Sequence, residues 1–315
     1  MSILISGSLA YDYILNVPDR FSDHLLPDQL HILSVGFLVE RLERGWGGTA
    51  GNIAYAMCAL GTRPLIVSAV GSDGAPYLER LRGLGLATHS IYEAPSTLTA
   101  AAHIITDKAN NQITGFFPGP LAEAGRTHVQ DLVPTPSLAL VSPNPVSVML
   151  KHLREAKELE IRTVFDPGQA ITLFSPEELR QGVEDAWCIM ANDYEMKLLT
   201  DRTGFSIADL LTKVELLVTT LGAEGSLIQT ADGQSIRVSA CPPQACLDPT
   251  GAGDAFRAGF FVGYEQGKDL KTCAQIGAVL ATYVVETRGT QAYQFTKEEF
   301  CQRYEKEYGE VLILS

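Results

Sequence analysis

The chain has 315 residues, 46% of them hydrophobic and 19% charged, with a formal net charge of −13. That length fits one large α/β domain carrying an accessory piece, and the acidic balance argues against nucleic acid or an acidic membrane surface as partner. The six cysteines are scattered with no C-x-x-C pair, no apolar run nears the ~20 residues that span a bilayer, and residues 1–10 lack a basic start, so a cytoplasmic protein with free thiols is expected.

Ile3–Ser6 reads as a first buried strand, followed by Gly7-Ser8 and then Asp12. A carboxylate there can accept hydrogen bonds from a vicinal diol, or can serve as an ordinary turn residue. Residues 11–46 lack helical period, and residues 98–118 alternate in a strand-like way around Asn110 and Asn111. Together they are expected to form a small β lid inserted in one domain spanning 1–315. Between them, Gly47-Gly48-Thr49-Ala50-Gly51-Asn52 opens a helix whose apolar positions Ala50, Ile53, Ala54, Met57 and Leu60 keep helical spacing up to Gly61. The paired glycines let a small ligand lie against backbone, and Asn52 offers both donor and acceptor. A tight turn with an exposed polar residue explains the same pattern.

Leu65–Ala69, Leu138–Ser142, Thr163–Asp166, Trp187–Ala191 and Leu216–Thr220 are strand-like, while Pro145–Leu159 and Tyr194–Leu199 are helical. Their alternation predicts a mostly parallel sheet with helices on both faces and ligand groups at the carboxyl edge. Asn192-Asp193-Tyr194-Glu195 matches a helix capping box. It would equally place Asn192 near a phosphate and Glu195 near Mg²⁺ through water. Thr219-Thr220-Leu221-Gly222 with Gly225 is a turn that could border a nucleotide or simply end a strand.

Asp248-Pro249-Thr250-Gly251-Ala252-Gly253-Asp254 runs straight into an apolar helix that is apolar all round, as a buried helix would be. A small-residue turn at a helix start presents unpaired amides and the positive end of the dipole, which makes an anion site. Asp254 either complements that dipole or takes a proton from an attacking hydroxyl. There is no G-x-x-x-x-G-K-[ST] loop, no G-x-S-x-G elbow and no metal-ligand spacing among the histidines.

Taken jointly and in this order, the glycine pair with Asn52, the N-x-x-E at Asn192–Glu195 and D-P-T-G-A-G-D at Asp248–Asp254 resemble the ribokinase-like (PfkB) carbohydrate and nucleoside kinases. The resemblance spans nearly the whole chain. It implies a three-layer α/β/α ribokinase-like core with a small β-sheet lid, and transfer of phosphate from ATP, with Mg²⁺, to a hydroxyl of a nucleoside or sugar. It makes Asp254 the base and the amides of Gly251, Ala252 and Gly253 the anion hole. Ser8, Asp12, Gly48 and Asn52 would hold the acceptor, Asn192 and Glu195 would serve phosphate and Mg²⁺, and Thr220, Gly222, Gly225 and Gln275 would line the ATP site. A monovalent cation (K⁺) near Asp248 and Gly289, and a homodimer through lid strand edges, are further expectations. Within the family the chain looks most like bacterial adenosine kinases, through G-S-L-A-Y-D at 7–12, L-L-P-D at 25–28, N-Q-I-T-G-F-F-P-G at 111–119, A-N-D-Y-E at 191–195 and G-D-A-F-R-A-G-F at 253–260. Phe116 would stack on the base and Gln169 would contact the nucleoside. Ala102, Gly36 and Ala170 depart from that pattern, each removing a contact a purine would use, so a sugar is the runner-up acceptor. A non-catalytic nucleotide-binding module is the third reading, disfavoured because such a module has no need of Asp254.

Overall fold

In the computed structural model, which describes residues 2–24, 35–109 and 111–314, β1 (Ile3–Ser6) leads into β2 (Ala10–Asn16) and β3 (Arg41–Gly47). The L-L-P-D stretch and Asn110 lie outside the described residues. Helix α1 (Thr49–Ala59) returns the chain to β4 (Leu65–Val70), and α2 (Ala75–Gly83) leads to β5 (Ile91–Glu93). A hairpin of β6 (Ala100–Thr106) and β7 (Gln112–Phe117) follows. Then come β8 (Leu138–Val141), α3 (Val146–Glu158), β9 (Arg162–Phe165), α4 (Pro176–Glu184), β10 (Cys188–Asn192), α5 (Asp193–Thr203), α6 (Ile207–Leu211) and β11 (Leu216–Thr220). The antiparallel pair β12 (Ser226–Thr230) and β13 (Ser235–Val238) precedes α7 (Ala252–Glu265), α8 (Leu270–Val285) and α9 (Lys297–Tyr308).

Among the described residues, nine strands form one sheet in the order β13-β12-β11-β10-β9-β8-β1-β4-β5. From β11 to β5 every neighbouring pair is parallel, and only the β12 and β13 edge runs antiparallel. The central strands have the composition that position demands: all residues of β1, β4 and β8 are buried, as expected where helices cover both faces. Ile3 and Ile5 pack with α1, α7 and α8 on one face, while Leu4 packs with Leu65 and Ala156 on the other. The expected strands are present within a residue or so of their predicted ends. The β12–β13 edge is an addition that the strand pattern did not signal, because its residues are only partly buried and alternate weakly.

A second sheet, in the order β3-β2-β6-β7, draws its strands from the described parts of 11–46 and 98–118, extended by one residue at Ala10 and Gly47. Its β2–β6 pair is parallel and the others antiparallel. One face of this small sheet looks onto the carboxyl ends of the main sheet, where the two enclose a cavity.

Candidate active site

The site begins where β1 ends. The Ser8 hydroxyl accepts the Thr49 amide at 3.1 Å, and the Ser8 carbonyl accepts the Ala50 amide at 3.0 Å, so the β1 exit caps the start of α1. Gly48 has φ +83°, and a Cβ there would lie 2.5 Å from the Ser8 carbonyl oxygen; only glycine fits this approach. The turn aims the first turn of α1, and Asn52 with it, at α7.

At the opposite wall Gly251 adopts φ +83° and opens α7, placing Asp254 in the first turn. The Asn52 Nδ2 donates to Asp254 Oδ2 at 2.8 Å. Burial pushes the Asp254 carboxyl up to about 6; Arg257 and the Asn52 bond pull it down, while Asp166 and Asp12 push it further up. Asp12, on β2 and facing the same cavity, is also pushed up to about 6, by burial first and then by Asp248. One turn beyond Asp254, Arg257 pairs with Asp166 at 2.5 Å and lies 3.9 Å from Glu195. Asp166 also accepts the Ser142 hydroxyl at 2.9 Å. Burial works against the Arg257 charge, but Asp166, Asp254 and Glu195 outweigh it and hold the guanidinium protonated. A fixed cation thus sits within electrostatic reach of the Asp254 carboxylate.

The cavity measures about 1180 Å³. Ser8, Asp12, Gly48, Asn52, Phe116, Gln169, Asn192, Glu195, Thr220, Gly222, Gly251, Gly253 and Asp254 all line it. Its ceiling is formed by Ala102 and Ile104 on β6 and by Thr114 and Phe116 on β7, alternate residues that a strand presents on one face. Ala102 stands directly opposite Phe116 in the register. Gly36 is exposed, with nothing near its Cβ direction.

Three expected contributors are placed elsewhere. Ala252 is not among the lining residues, and its amide donates to the Pro249 carbonyl at 3.2 Å. Gly225, φ +95°, closes the turn before β12 by donating to the Gly222 carbonyl at 3.1 Å, which is a backbone role. Gln275 is buried in the middle of α8, where its Oε1 accepts the Tyr304 hydroxyl at 2.6 Å. It is therefore a core amide and not part of the cavity wall. At Asn192 and Glu195 the capping box is realised: Asn192 Oδ1 accepts the Glu195 amide at 2.7 Å, and Glu195 Oε2 accepts the Asn192 amide at 2.9 Å. Both side chains still border the cavity, and burial, followed by the nearby Asp166, raises the Glu195 carboxyl above its ordinary range. Asp248 closes its own turn, accepting the Thr250 amide at 3.0 Å and the Gly289 amide at 3.4 Å.

Residue-by-residue reading missed Asp166, Arg257, Asn144 and Gln291. Asp166 ends a predicted strand before Pro167, and Arg257 follows Asp254 by three on the same helix face, so both had a positional signal. Asn144 lines the cavity while buried, and neither atom of its carboxamide has a hydrogen-bond partner within the protein.

Residues 3–297 match the model of the pfkB family of carbohydrate kinases. A nucleoside kinase of Methanocaldococcus jannaschii is 32% identical over 305 residues, 95% of either chain. The solved structure of a Burkholderia thailandensis nucleoside kinase in complex with inosine aligns with a TM-score of 0.90 at 35% identity, covering 99% of this chain and 100% of that one. Its complex with ADP-inosine aligns at 0.87 and 37%, covering 100% and 98%. An adenosine kinase from Sinorhizobium meliloti aligns at 0.72 with 21% identity, over 92% and 95%, and that likeness shows the fold alone. The particular resemblance to adenosine kinases therefore gives way to a nearer one, to nucleoside kinases. With the family model matched over nearly its whole length, the chain belongs to the pfkB family of carbohydrate kinases and is a phosphotransferase acting on a hydroxyl acceptor.

Proposed function

We propose that the chain is an ATP- and Mg²⁺-dependent nucleoside kinase, transferring the γ-phosphoryl group of ATP to the 5′-hydroxyl of a nucleoside such as adenosine. The observation that carries this reading is Asp254, held by Asn52 at the mouth of the α7 anion turn beneath the apolar ceiling of Phe116, Ala102 and Ile104. The acceptor's hydroxyl proton passes to Asp254, its oxygen forms the new bond to phosphorus, and the bond to the β-phosphate oxygen breaks, releasing ADP. A base with a pKa near the working pH suits this role. The amides of Gly251 and Gly253, together with the α7 dipole, meet the charge on the phosphoryl oxygens. Ser8, Asp12, Gly48 and Asn52 hold the ribose.

Gln169 supplies hydrogen-bonding groups beyond the ribose, which a nucleobase uses and a free sugar does not. Asn192, Thr220 and Gly222 border the nucleotide. Mg²⁺ keeps several waters and takes few carboxylates; Glu195, with one oxygen already on the Asn192 amide, fits a contact through water. The ion supplies neutralisation of the phosphate charge. K⁺ beside Asp248 and Gly289 belongs to the same reading. The outer strands β3 and β7, with Leu42, Ile113 and Phe117 exposed, offer the edges through which two copies would pair.

The test is ADP release with adenosine, inosine, ribose and fructose as acceptors, in the wild type and in Phe116→Ala. The nucleosides are expected to give the higher kcat/KM, and Phe116→Ala to lower it by the ~1–3 kcal/mol of a lost base–aromatic stack. A preferred free sugar, indifferent to Phe116→Ala, would leave the sugar kinase standing instead.

A further inference from the structure

Behind Asp254 runs a chain of side chains whose direction is fixed from its far end. Arg80, on α2, can only donate; its Nε reaches Gln291 Oε1 at 3.3 Å and its Nη2 the Gln291 carbonyl at 3.0 Å. With Oε1 facing a donor, Gln291 must present Nε2 on the other side. There Nε2 donates to Asn52 Oδ1 at 3.1 Å and to the Tyr77 hydroxyl at 3.0 Å. The Tyr77 hydroxyl donates to the Gly47 carbonyl at 2.6 Å, which leaves its oxygen free to accept. Asn52, its Oδ1 taken by a donor, must turn Nδ2 towards Asp254. A carboxamide turned end for end fills the same space, so packing does not choose between the two orientations of Asn52 or of Gln291. The arginine does. Both amides and Tyr77 are buried, so a mismatched pair would be costly.

We propose that Gln291 is a positioning residue for the base: it carries the donor-only character of Arg80 through to Asn52, so that Asp254 meets an N–H and never a carbonyl oxygen. An N–H favours the carboxylate, whereas a carbonyl oxygen in its place would favour the protonated acid, which cannot accept a proton. The inference rests on Asp254 acting as the base. The other groups facing Asp254 are Arg257 on its own helix, Asp166 at the end of β9, Asp12 on β2 and Tyr293 after α8. A neutral substitution at 291 alters none of their charges.

The experiment is the pH dependence of kcat for the full chain, with saturating ATP and the best acceptor of the panel above, in the wild type, Asp254→Asn, Gln291→Met and Gln291→Glu. Gln291→Met is expected to lower kcat at pH 7 on the order of tenfold, equivalent to ~1.4 kcal/mol, and to move the acidic limb of the profile upward. Gln291→Glu, which can only accept when ionised, should move that limb at least as far. An acidic limb unmoved in Gln291→Met, whatever its melting temperature, overturns the proposal, because a packing role alone lowers stability without changing the base. Should neither variant fold, Arg80→Met carries the same test: Gln291 then loses its fixed direction, and the limb must move the same way. Asp254→Asn separates the two readings. If it stays active, the base assignment itself falls; if it is inactive while Gln291→Met behaves as wild type, only the relay falls.

Discussion

Asp254 owes its raised pKa to burial beside other carboxylates, and the same environment bears on stability as well as on the role proposed for it as base. An aspartate of an unfolded chain titrates near ~3.9, while Asp254 titrates at about 6 in the folded protein. The folded state therefore binds its proton more tightly. Its favourable contribution is complete below the unfolded value and is lost as pH rises through 6. At pH 7 Asp254 is ionised, competent as a base and a local source of repulsion with Asp166 and Asp12. Asp254→Asn is accordingly expected to lose at least ~10² in kcat, the lower range for removal of a general base, while melting at the same temperature or higher at pH 7. Retained kcat with chemistry rate-limiting would contradict the assignment. Asp254 was legible because its neighbours in sequence, Gly251 and Gly253, also line the cavity beside it. Its partners in space were not: Asn52 lies 202 positions away, and Gln291 reaches Asn52 across 239.

The elements show why the buried helix α7 carries glycines far from any ligand. A Cβ on Gly259 would lie 2.8 Å from the Gly277 Cα, and one on Gly277 would lie 2.7 Å from the Phe256 carbonyl oxygen. The two helices touch backbone to backbone, with no flexible side chain between them to give way. Gly259→Ala should force α7 and α8 apart and cost about 1–3 kcal/mol, the usual penalty of overpacking a close-packed core, read as a lower melting temperature. An unchanged melting temperature would mean that the helices part freely. The apolar character of α7 was plain in its composition, but its pairing with α8 was not, since Gly259 and Gly277 become one contact only when the helices cross. The α5 cap was legible for the opposite reason: Asn192 and Glu195 complete it within three residues. Gln275 was expected at the ATP site through the family resemblance alone, and its position became plain only once Tyr304 from α9 donated to its Oε1.

At the scale of the molecule, the two layers are tied by a histidine that the chemistry does not use. His152 on α3 is fully buried, its Nε2 3.2 Å from the Thr127 carbonyl and its Nδ1 2.7 Å from the Ser6 hydroxyl. A carbonyl oxygen can only accept, so Nε2 carries the proton and Nδ1 accepts from Ser6, joining α3 to β1. Burial pushes His152 down to about 4, against the pull of the Thr127 carbonyl. A histidine of the unfolded chain titrates near ~6.5, so the stabilising contribution is whole above that value and is lost as pH falls towards 4. Unfolding by urea across this window should show the wild type losing on the order of 3 kcal/mol more than His152→Gln, which does not titrate. Asp12 and Asp254 act in the opposite sense over part of that range, and comparing the two proteins cancels them. Parallel curves would show that His152 does not hold its neutral form.

The sequence by itself determined the alternation of strands and helices, the parallel core, the small second sheet and the two glycine turns. Each of these is written in local period, in burial of contiguous residues, or in a backbone conformation that only glycine tolerates at positions such as Gly48 and Gly251. The tertiary structure alone decided which polar groups share a proton or a charge. Arg257 with Asp166, Asn52 with Asp254, and Arg80 with Gln291 are pairs of distant residues, brought within hydrogen-bond reach by the packing of α1, α2 and α7 on one face of the sheet. Arg257 with Asp166 is the pair most fully withdrawn from water, and that exclusion is a property of the assembled surfaces, not of any one segment.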